Sequence, residues 1–309
     1  GLWGGGGLLR TAEWVAPGAE QPLSVALYQP NIPQQLKWRR EQYPEILRQF
    51  DRALPEQYGH DIVLWPESAL PRFYQQARDY LDPVAQQLQR NDATLITGIP
   101  WRDAGSEDYY NSIVALGAGE GVYHKQRLVP FGEYVPLESR LRGLIAFFDL
   151  PMSSFSAGPP GQDLLQANGY RIAPFICYEV VYPDLVARGA RTADLLVTIS
   201  NDSWFGASIG PLQHLQMARM RALESGRYLL RGTNNGISAI IDHRGQILAR
   251  TAQFEETVLT GEAQVMLGST PAASFGTRPV ISACALLLLL LLVIFHTFWR
   301  GGEAATTPE

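Results

Sequence analysis

Two kinds of hydrophobic pattern alternate along the first 270 residues. Short apolar runs recur at Leu23–Tyr28, Asp61–Trp65, Thr94–Ile99, Arg171–Ile176 and Leu195–Ser200. Each is too short for a helix and reads as a strand, and Arg171–Ile176 and Leu195–Ser200 are continuous apolar runs of the kind buried on both faces. Between them, apolar residues recur at helical spacing. Helices are expected over Leu36–Leu54, with an interruption at Pro44, over Tyr74–Gln89 and over Leu212–Ser225, the last ended by Gly226. Asn111–Leu116 with Gly121–His124, and Ile237–Asp242 with Ile247–Ala249, read as hairpins. Strands alternating with helices and hairpins predict layered sheets covered by helices, an α/β architecture. No internal repeat is present.

Val280–Trp299 differs from everything before it. The stretch has no formal charge, includes an unbroken Leu286–Leu292, and is long enough to cross a bilayer as a helix. Arg278 and Arg300 flank it symmetrically, so charge does not choose an orientation. Phe131–Phe155 is also largely apolar, with Leu141, Leu144, Ile145 and Phe148 at helical spacing beside Arg140 and Arg142. It reads either as an amphipathic helix on the core or as a lid or arm that touches lipid, with Phe147 and Phe148 as contact residues. Gly1–Leu9 is Gly-rich and apolar and lacks the basic start of a signal peptide, so it reads as the end of a preceding membrane segment, residues 1–21. The expected organisation is then a globular domain at 22–265, a linker at 266–279, a transmembrane helix at 280–299 and a disordered tail at 300–309.

The 309 residues carry a net charge of −5 and no broad basic patch, which argues against a nucleic-acid partner. The two cysteines, Cys177 and Cys284, lie in different regions, so the chain is no disulfide scaffold. The five histidines have no metal spacing, His214 and His243 read as structural, and Gly4–Gly7 lacks the Lys and Ser/Thr of a phosphate loop. No metal and no cofactor is expected.

Three ionisable residues end or follow predicted strands: Glu67 after Asp61–Trp65, Lys125 after the Gly121–His124 strand, and Cys177 after Arg171–Ile176. A carboxylate, an ammonium and a thiol at neighbouring strand ends supply a base, an oxyanion stabiliser and a nucleophile for acyl transfer through a thioester. The backbone N–H of Tyr178 is a candidate second oxyanion donor. Each residue alone has a plainer reading: a cap or ion pair for Glu67, a solvated charge for Lys125, inert core filler for Cys177. The strand-to-helix turn after Cys177 and the joint presence of the other two favour chemistry. Glu133 and Glu179 are secondary candidates, either orienting Lys125 or an incoming amine, or forming plain ion pairs.

These contexts resemble the nitrilase (carbon–nitrogen hydrolase) superfamily. The motifs that carry the resemblance are Val25–Pro33, Leu64–Ala69, Tyr123–Pro136, Ile176–Val180, Ser200–Gly206, Gln213–Arg219 and Thr233–Gly236. Within the superfamily they are most similar to the membrane-bound acyltransferases of bacterial lipoprotein maturation. The resemblance implies an α-β-β-α sandwich followed by one C-terminal transmembrane helix, and a Glu67–Lys125–Cys177 triad. It further implies a phospholipid acyl donor, typically phosphatidylethanolamine, whose sn-1 chain passes through a Cys177 thioester. The implied acceptor is the α-amine of a diacylglyceryl apolipoprotein. Glu133 is implied to support the site, Tyr178 and Glu179 to flank the nucleophile, and Trp38 to gate lipid entry. The implied setting is the bacterial inner membrane with the domain on its periplasmic face, and a monomer fits such substrates. The alternative is a membrane-tethered amidase or nitrilase with water as acceptor.

Overall fold

The computed structural model describes residues 12–18, 21–103, 105, 108–130, 132–133 and 155–303, with side chains to residue 296. Phe147, Phe148 and the expected arm around them lie outside the described residues.

In chain order the strands are β1 (Val15–Pro17), β2 (Leu23–Gln29), β3 (Ile62–Leu64), β4 (Thr94–Arg102), β5 (Tyr109–Gly117), β6 (Val122–His124) and β7 (Leu165–Ala167). They continue as β8 (Tyr170–Ile176), β9 (Leu195–Ser200), β10 (Leu229–Thr233), β11 (Ala239–Ile241), β12 (Ile247–Arg250), β13 (Thr257–Ala263) and β14 (Met266–Gly268). The helices are α1 (Gln34–Lys37), α2 (Tyr43–Gln57), α3 (Tyr74–Gln89), α4 (Pro183–Ala190), α5 (Gly210–Ser225), α6 (Pro271–Phe275) and α7 (Arg278–Glu303).

Two six-stranded sheets form the middle of the molecule, in the orders β13-β2-β3-β4-β5-β6 and β12-β11-β10-β9-β8-β7. Each has three parallel strands at its centre, β2–β3–β4 and β8–β9–β10, with antiparallel strands outside. This common plan brings parallel strand ends together from both sheets, and such ends are where open α/β sheets place their ligands.

Strand alternation builds the layers. In β9, Leu195, Val197 and Ile199 join Leu27, Ile62, Leu64 and Ile96 in the core between the sheets. Leu196 points the other way, against Leu185, Leu215 and Ala218 of α4 and α5. Across the molecule, Val63, Trp65 and Leu95 face Phe50 of α2 and Leu81 and Leu88 of α3. Each fully buried aliphatic or aromatic side chain contributes roughly 1.5–3 kcal/mol. Because both strand faces are covered, the runs are continuously apolar, as their sequences predict. The α-β-β-α sandwich is therefore observed, followed by the one apolar helix.

Some elements depart from the sequence reading. The single helix expected over Leu36–Leu54 is two: α1 ends at Lys37, a 3₁₀ turn covers Arg40–Gln42, and α2 starts at Tyr43. Pro44 lies in the first turn of α2, where its missing N–H leaves no bond unmade, so it begins a helix rather than interrupting one. Strands β10 and β13 carry no clean apolar run: β10 holds the buried Arg231, and β13 is an edge strand with exposed positions. Residues 266–276, read as linker, hold β14, which pairs with β1, and α6, which packs on α4 and α5. α6 is capped by Thr270, whose hydroxyl accepts from Ala273 N. α7 is one helix of 26 residues, and its Arg278–His296 stretch, mean hydropathy 2.6, is long and apolar enough to cross a membrane.

Candidate active site

Glu67 leaves the end of β3 through Trp65 and Pro66. Its path is tight: a Cβ on Gly98 of the neighbouring β4 would come within 2.7 Å of the Glu67 backbone. The next residue, Ser68, has φ +47°, in the left-handed region. The carboxylate is buried and fully engaged. Oε1 accepts from Asn111 Nδ2 at 2.7 Å and Oε2 accepts from the Asn201 backbone N–H at 2.8 Å. Burial pushes its pKa up, opposed by the charge of Lys125.

Lys125 follows β6, and its backbone N–H donates to the Asn111 carbonyl at 2.8 Å. Its side chain is 1% exposed, and Nζ meets Glu133 Oε1 at 2.8 Å. The same Glu133 oxygen accepts from Asn111 Nδ2 at 3.1 Å, so one amide links Glu67 to the Lys125–Glu133 pair. Burial alone would lower the Lys125 pKa, but Glu133, Cys177 and Glu67 outweigh it and hold the ammonium charged.

Cys177 closes β8 and opens a 3₁₀ turn, Cys177–Val181, that leads into α4. Its φ is +54°, an expensive conformation for a residue with a Cβ, costing of order 1–3 kcal/mol unless its surroundings hold it. They do. Glu179, fully buried, accepts from the backbone N–H of Ile176 at 2.9 Å, of Gln126 at 2.7 Å and of Arg127 at 3.0 Å, and from the Tyr123 hydroxyl at 3.0 Å. One carboxylate thus ties the turn of Cys177 to the loop that carries Lys125. Burial pushes Glu179 up, and these donors oppose the shift. His214 Nε2 lies 3.1 Å from the Cys177 carbonyl, and Ser200 Oγ lies 3.5 Å from Sγ. Burial and the Glu67 charge push the thiol up to about 12, against the pull of Lys125.

Glu67 and Lys125, both buried, and Cys177, partly buried, therefore share one site in which the Glu67 and Lys125 charges bear on each other and on the thiol. The arrangement suits a thiol that ionises only when a base takes its proton, beside a fixed cation where negative charge would develop. Tyr178, beside Cys177, is exposed and packs edge-on against Tyr182. Trp38 is half-buried at the end of α1, and its Nε1 has no acceptor among the described residues.

Several residues here were not singled out from sequence, and His214 was singled out only as structural. Lys37 is fully buried, and Nζ donates to the Glu67 carbonyl at 3.0 Å. Burial lowers its pKa to about 8, against the raising effect of Glu67. Asn111 and Asn201 hold the Glu67 carboxylate, while Ser200, Asp202, His214 and Arg231 lie behind Cys177. Ser200–Gly206 and Gln213–Arg219 were visible as motifs, but their parts act only after folding, so spacing alone gave them no role. Among the described residues, no group of three or more His, Cys, Asp or Glu is placed to hold a metal.

Residues 24–272 match the family model of the carbon–nitrogen hydrolases. The chain belongs to the carbon–nitrogen hydrolase family. It is similar to curated proteins named apolipoprotein N-acyltransferase. It is 51% identical to that of Azotobacter vinelandii over 295 residues, 94% of this chain and 57% of the relative. It is 48% identical to that of Pseudomonas aeruginosa over 297 residues, 95% of this chain and 58% of the relative. The chain thus spans less than two thirds of the length of these relatives. Among solved structures it is similar to Saccharomyces cerevisiae Nit3, a member of branch 10 of the nitrilase superfamily. That match has a TM-score of 0.58 at 20% identity, covering 82% of this chain and 92% of that one. The Caenorhabditis elegans NitFhit protein matches with a TM-score of 0.60 at 16% identity, over 85% and 65% of the two chains. At these identities the structural likeness speaks for the fold.

Proposed function

We propose that this chain carries the catalytic centre of a phospholipid:apolipoprotein N-acyltransferase, working by ping-pong transfer through a Cys177 thioester. The observation that carries the reading is the convergence of buried Glu67 and Lys125 with a partly exposed Cys177 on a left-handed turn. The names of relatives near 50% identity supply the substrate class, and the apolar α7 supplies a means of holding the domain at a bilayer.

In the first half-reaction, Cys177 Sγ attacks the sn-1 ester carbonyl of a phospholipid such as phosphatidylethanolamine while its proton passes to Glu67. The carbonyl oxygen becomes an oxyanion facing Lys125 Nζ and the Tyr178 backbone N–H. When the C–O bond breaks, Glu67 returns the proton to the leaving lysophospholipid. In the second, the α-amine of a diacylglyceryl-cysteine attacks the thioester and gives its proton to Glu67. The C–S bond breaks, and the proton returns to Cys177. A carboxyl whose pKa burial has raised is suited to both directions of this transfer. Glu133 fixes Lys125, Glu179 fixes the turn of Cys177, and Trp38, Phe147 and Phe148 are the lipid contacts of this reading. The setting is the bacterial inner membrane with this domain on the periplasmic face, the enzyme acting as a monomer.

The test is incubation with phosphatidylethanolamine and a synthetic diacylglyceryl lipopeptide, with the peptide's mass as readout. A gain of one acyl chain is the expected result. No acyl gain, together with ammonia release from small amides, would instead select the membrane-tethered amidase.

A further inference from the structure

Ser200 ends β9, and its buried hydroxyl lies between two acceptors. Oγ is 2.6 Å from Asp202 Oδ1 and 3.5 Å from Cys177 Sγ. A hydroxyl has one proton and two lone pairs. The close carboxylate claims the proton, so at rest Ser200 presents a lone pair to sulfur and receives the thiol S–H. When the thiol ionises, that S–H is gone and two anions flank one hydroxyl. Asp202 can release it, because Arg231 Nη2 remains 2.6 Å from Oδ2.

The geometry points to Ser200 as the hydrogen-bond switch of the nucleophile: its hydroxyl accepts from the Cys177 thiol at rest and turns from Asp202 to donate to the thiolate. Asp202, Arg231 and His214 are its positioning residues. The inference rests on the reading of Cys177 as nucleophile. The thiol proton goes to Glu67, and the Ser200 proton is only re-aimed.

Three observations support it. The Asp202 and Arg231 side chains are both 0% exposed, so the pair has no solvent to disperse it. Burial alone would raise Asp202, but the Arg231 charge holds its carboxyl well below the usual carboxylate range. His214 belongs to the same cluster, with Nδ1 3.2 Å from Arg231 Nη2 and Nε2 3.1 Å from the Cys177 carbonyl. A neutral ring donating from Nε2 and accepting at Nδ1 fits, since burial and Arg231 both push its pKa down. The cluster thus grips the nucleophile at its carbonyl as well as at its sulfur. Finally, any side chain on Gly236 would overlap the Asp202 carboxylate, so the loop after β10 is shaped to leave that carboxylate room.

The charged groups that bear on the sulfur are Glu67 and Asp202, which oppose a thiolate, and Lys125, which favours it. Ser200 adds a second favourable contact. The test is the pH profile of Cys177 alkylation by iodoacetamide in the folded full chain, read by peptide mass spectrometry separately from Cys284. Alkylation needs the thiolate but no lipid. Ser200→Ala is expected to displace the profile upward by about one pH unit, an about tenfold slower reaction at fixed pH. Ser200→Thr, which keeps the hydroxyl, should retain the wild-type profile. Asp202→Asn should displace it the other way, because an opposing anion is gone; a general packing defect would move both variants alike. If Asp202→Asn does not fold, the Ala and Thr pair decides alone. An unshifted Ser200→Ala profile, or a Thr variant that behaves as Ala, overturns the inference whatever the transfer assay shows. A shifted profile in a protein whose Cys177→Ala variant still transfers acyl chains refutes the nucleophile reading, and with it the switch's part in that reaction.

Discussion

Two buried polar clusters lie at neighbouring strand ends, and they are balanced in opposite directions. Around Glu67, burial wins and the carboxyl is pushed up toward its neutral form, although Lys125 and Lys37 lie near. Around Asp202, pairing wins: the Arg231 charge holds the carboxyl far down. Both carboxyls are buried, so burial alone does not decide which way a carboxyl's pKa moves. The difference is how completely the charge is answered. A carboxyl whose pKa burial has raised is the better proton acceptor, whereas one held down by a paired cation can only hold its neighbours.

The sharpest way to break this comparison is at the reacting atoms. Cys177→Ala should reduce transfer to the uncatalysed rate. Glu67→Gln should lower it by about 10²–10⁴-fold through loss of acid–base chemistry, and Lys125→Met by about 10²–10³-fold through loss of the oxyanion partner. Lipopeptide mass measures all three, and a folded Lys125→Met protein with normal transfer would remove Lys125 from that role.

Stability should divide the clusters the other way. Arg231→Met leaves the Asp202 charge buried and unanswered, and should destabilise the protein by about 3–5 kcal/mol in denaturant unfolding. Glu67→Gln keeps the shape but turns its amide NH2 toward one donor, Asn111 Nδ2 or the Asn201 N–H, so it should cost about 1–3 kcal/mol, less than Arg231→Met. Equal losses in the two variants would contradict the contrast.

The pH dependence of folding carries the same opposition. Asp202 has its pKa lowered by folding, so its contribution is present above its unfolded pKa and is lost as pH falls through the folded one. Glu67 has its pKa raised, so its effect is reversed: stability falls as pH rises from its unfolded pKa to its folded one. Unfolding across the acidic range should show a shallower pH response on the rising limb in Arg231→Met and on the falling limb in Glu67→Gln. The smallest effect is expected at Lys37. Its lowered pKa, about 8, makes stability rise with pH between that value and its unfolded pKa. Lys37→Met should abolish that rise and reduce transfer less than tenfold, through lost support of the Glu67 carbonyl. A larger loss of transfer would place Lys37 among the reacting groups.

What was legible in the sequence follows from the range of each signal. β9 and α3 were found at their observed limits, because a run buried on both faces and a stripe at Ala77, Leu81, Val84 and Leu88 are local patterns. β10 was not, since Arg231 breaks the apolar run and its partner Asp202 lies 29 residues away. Glu67, Lys125 and Cys177 stood out because each ends or follows a strand. Glu133 and Glu179 were left open between orienting and pairing. The fold distinguishes them: Glu133 pairs with Lys125, whereas Glu179 bonds backbone amides and a tyrosine hydroxyl. Lys37, one turn into an amphipathic stretch, gave no sign that it would be buried against a carbonyl 30 residues on.

The central claim is that Cys177 becomes acylated, and mass spectrometry of the protein after incubation with phosphatidylethanolamine tests it most directly. The account predicts one added acyl chain on Cys177, removable by hydroxylamine and absent in Cys177→Ala. Triacylated lipopeptide formed by a protein that never carries such an adduct, or an adduct that survives the loss of Cys177, would contradict it.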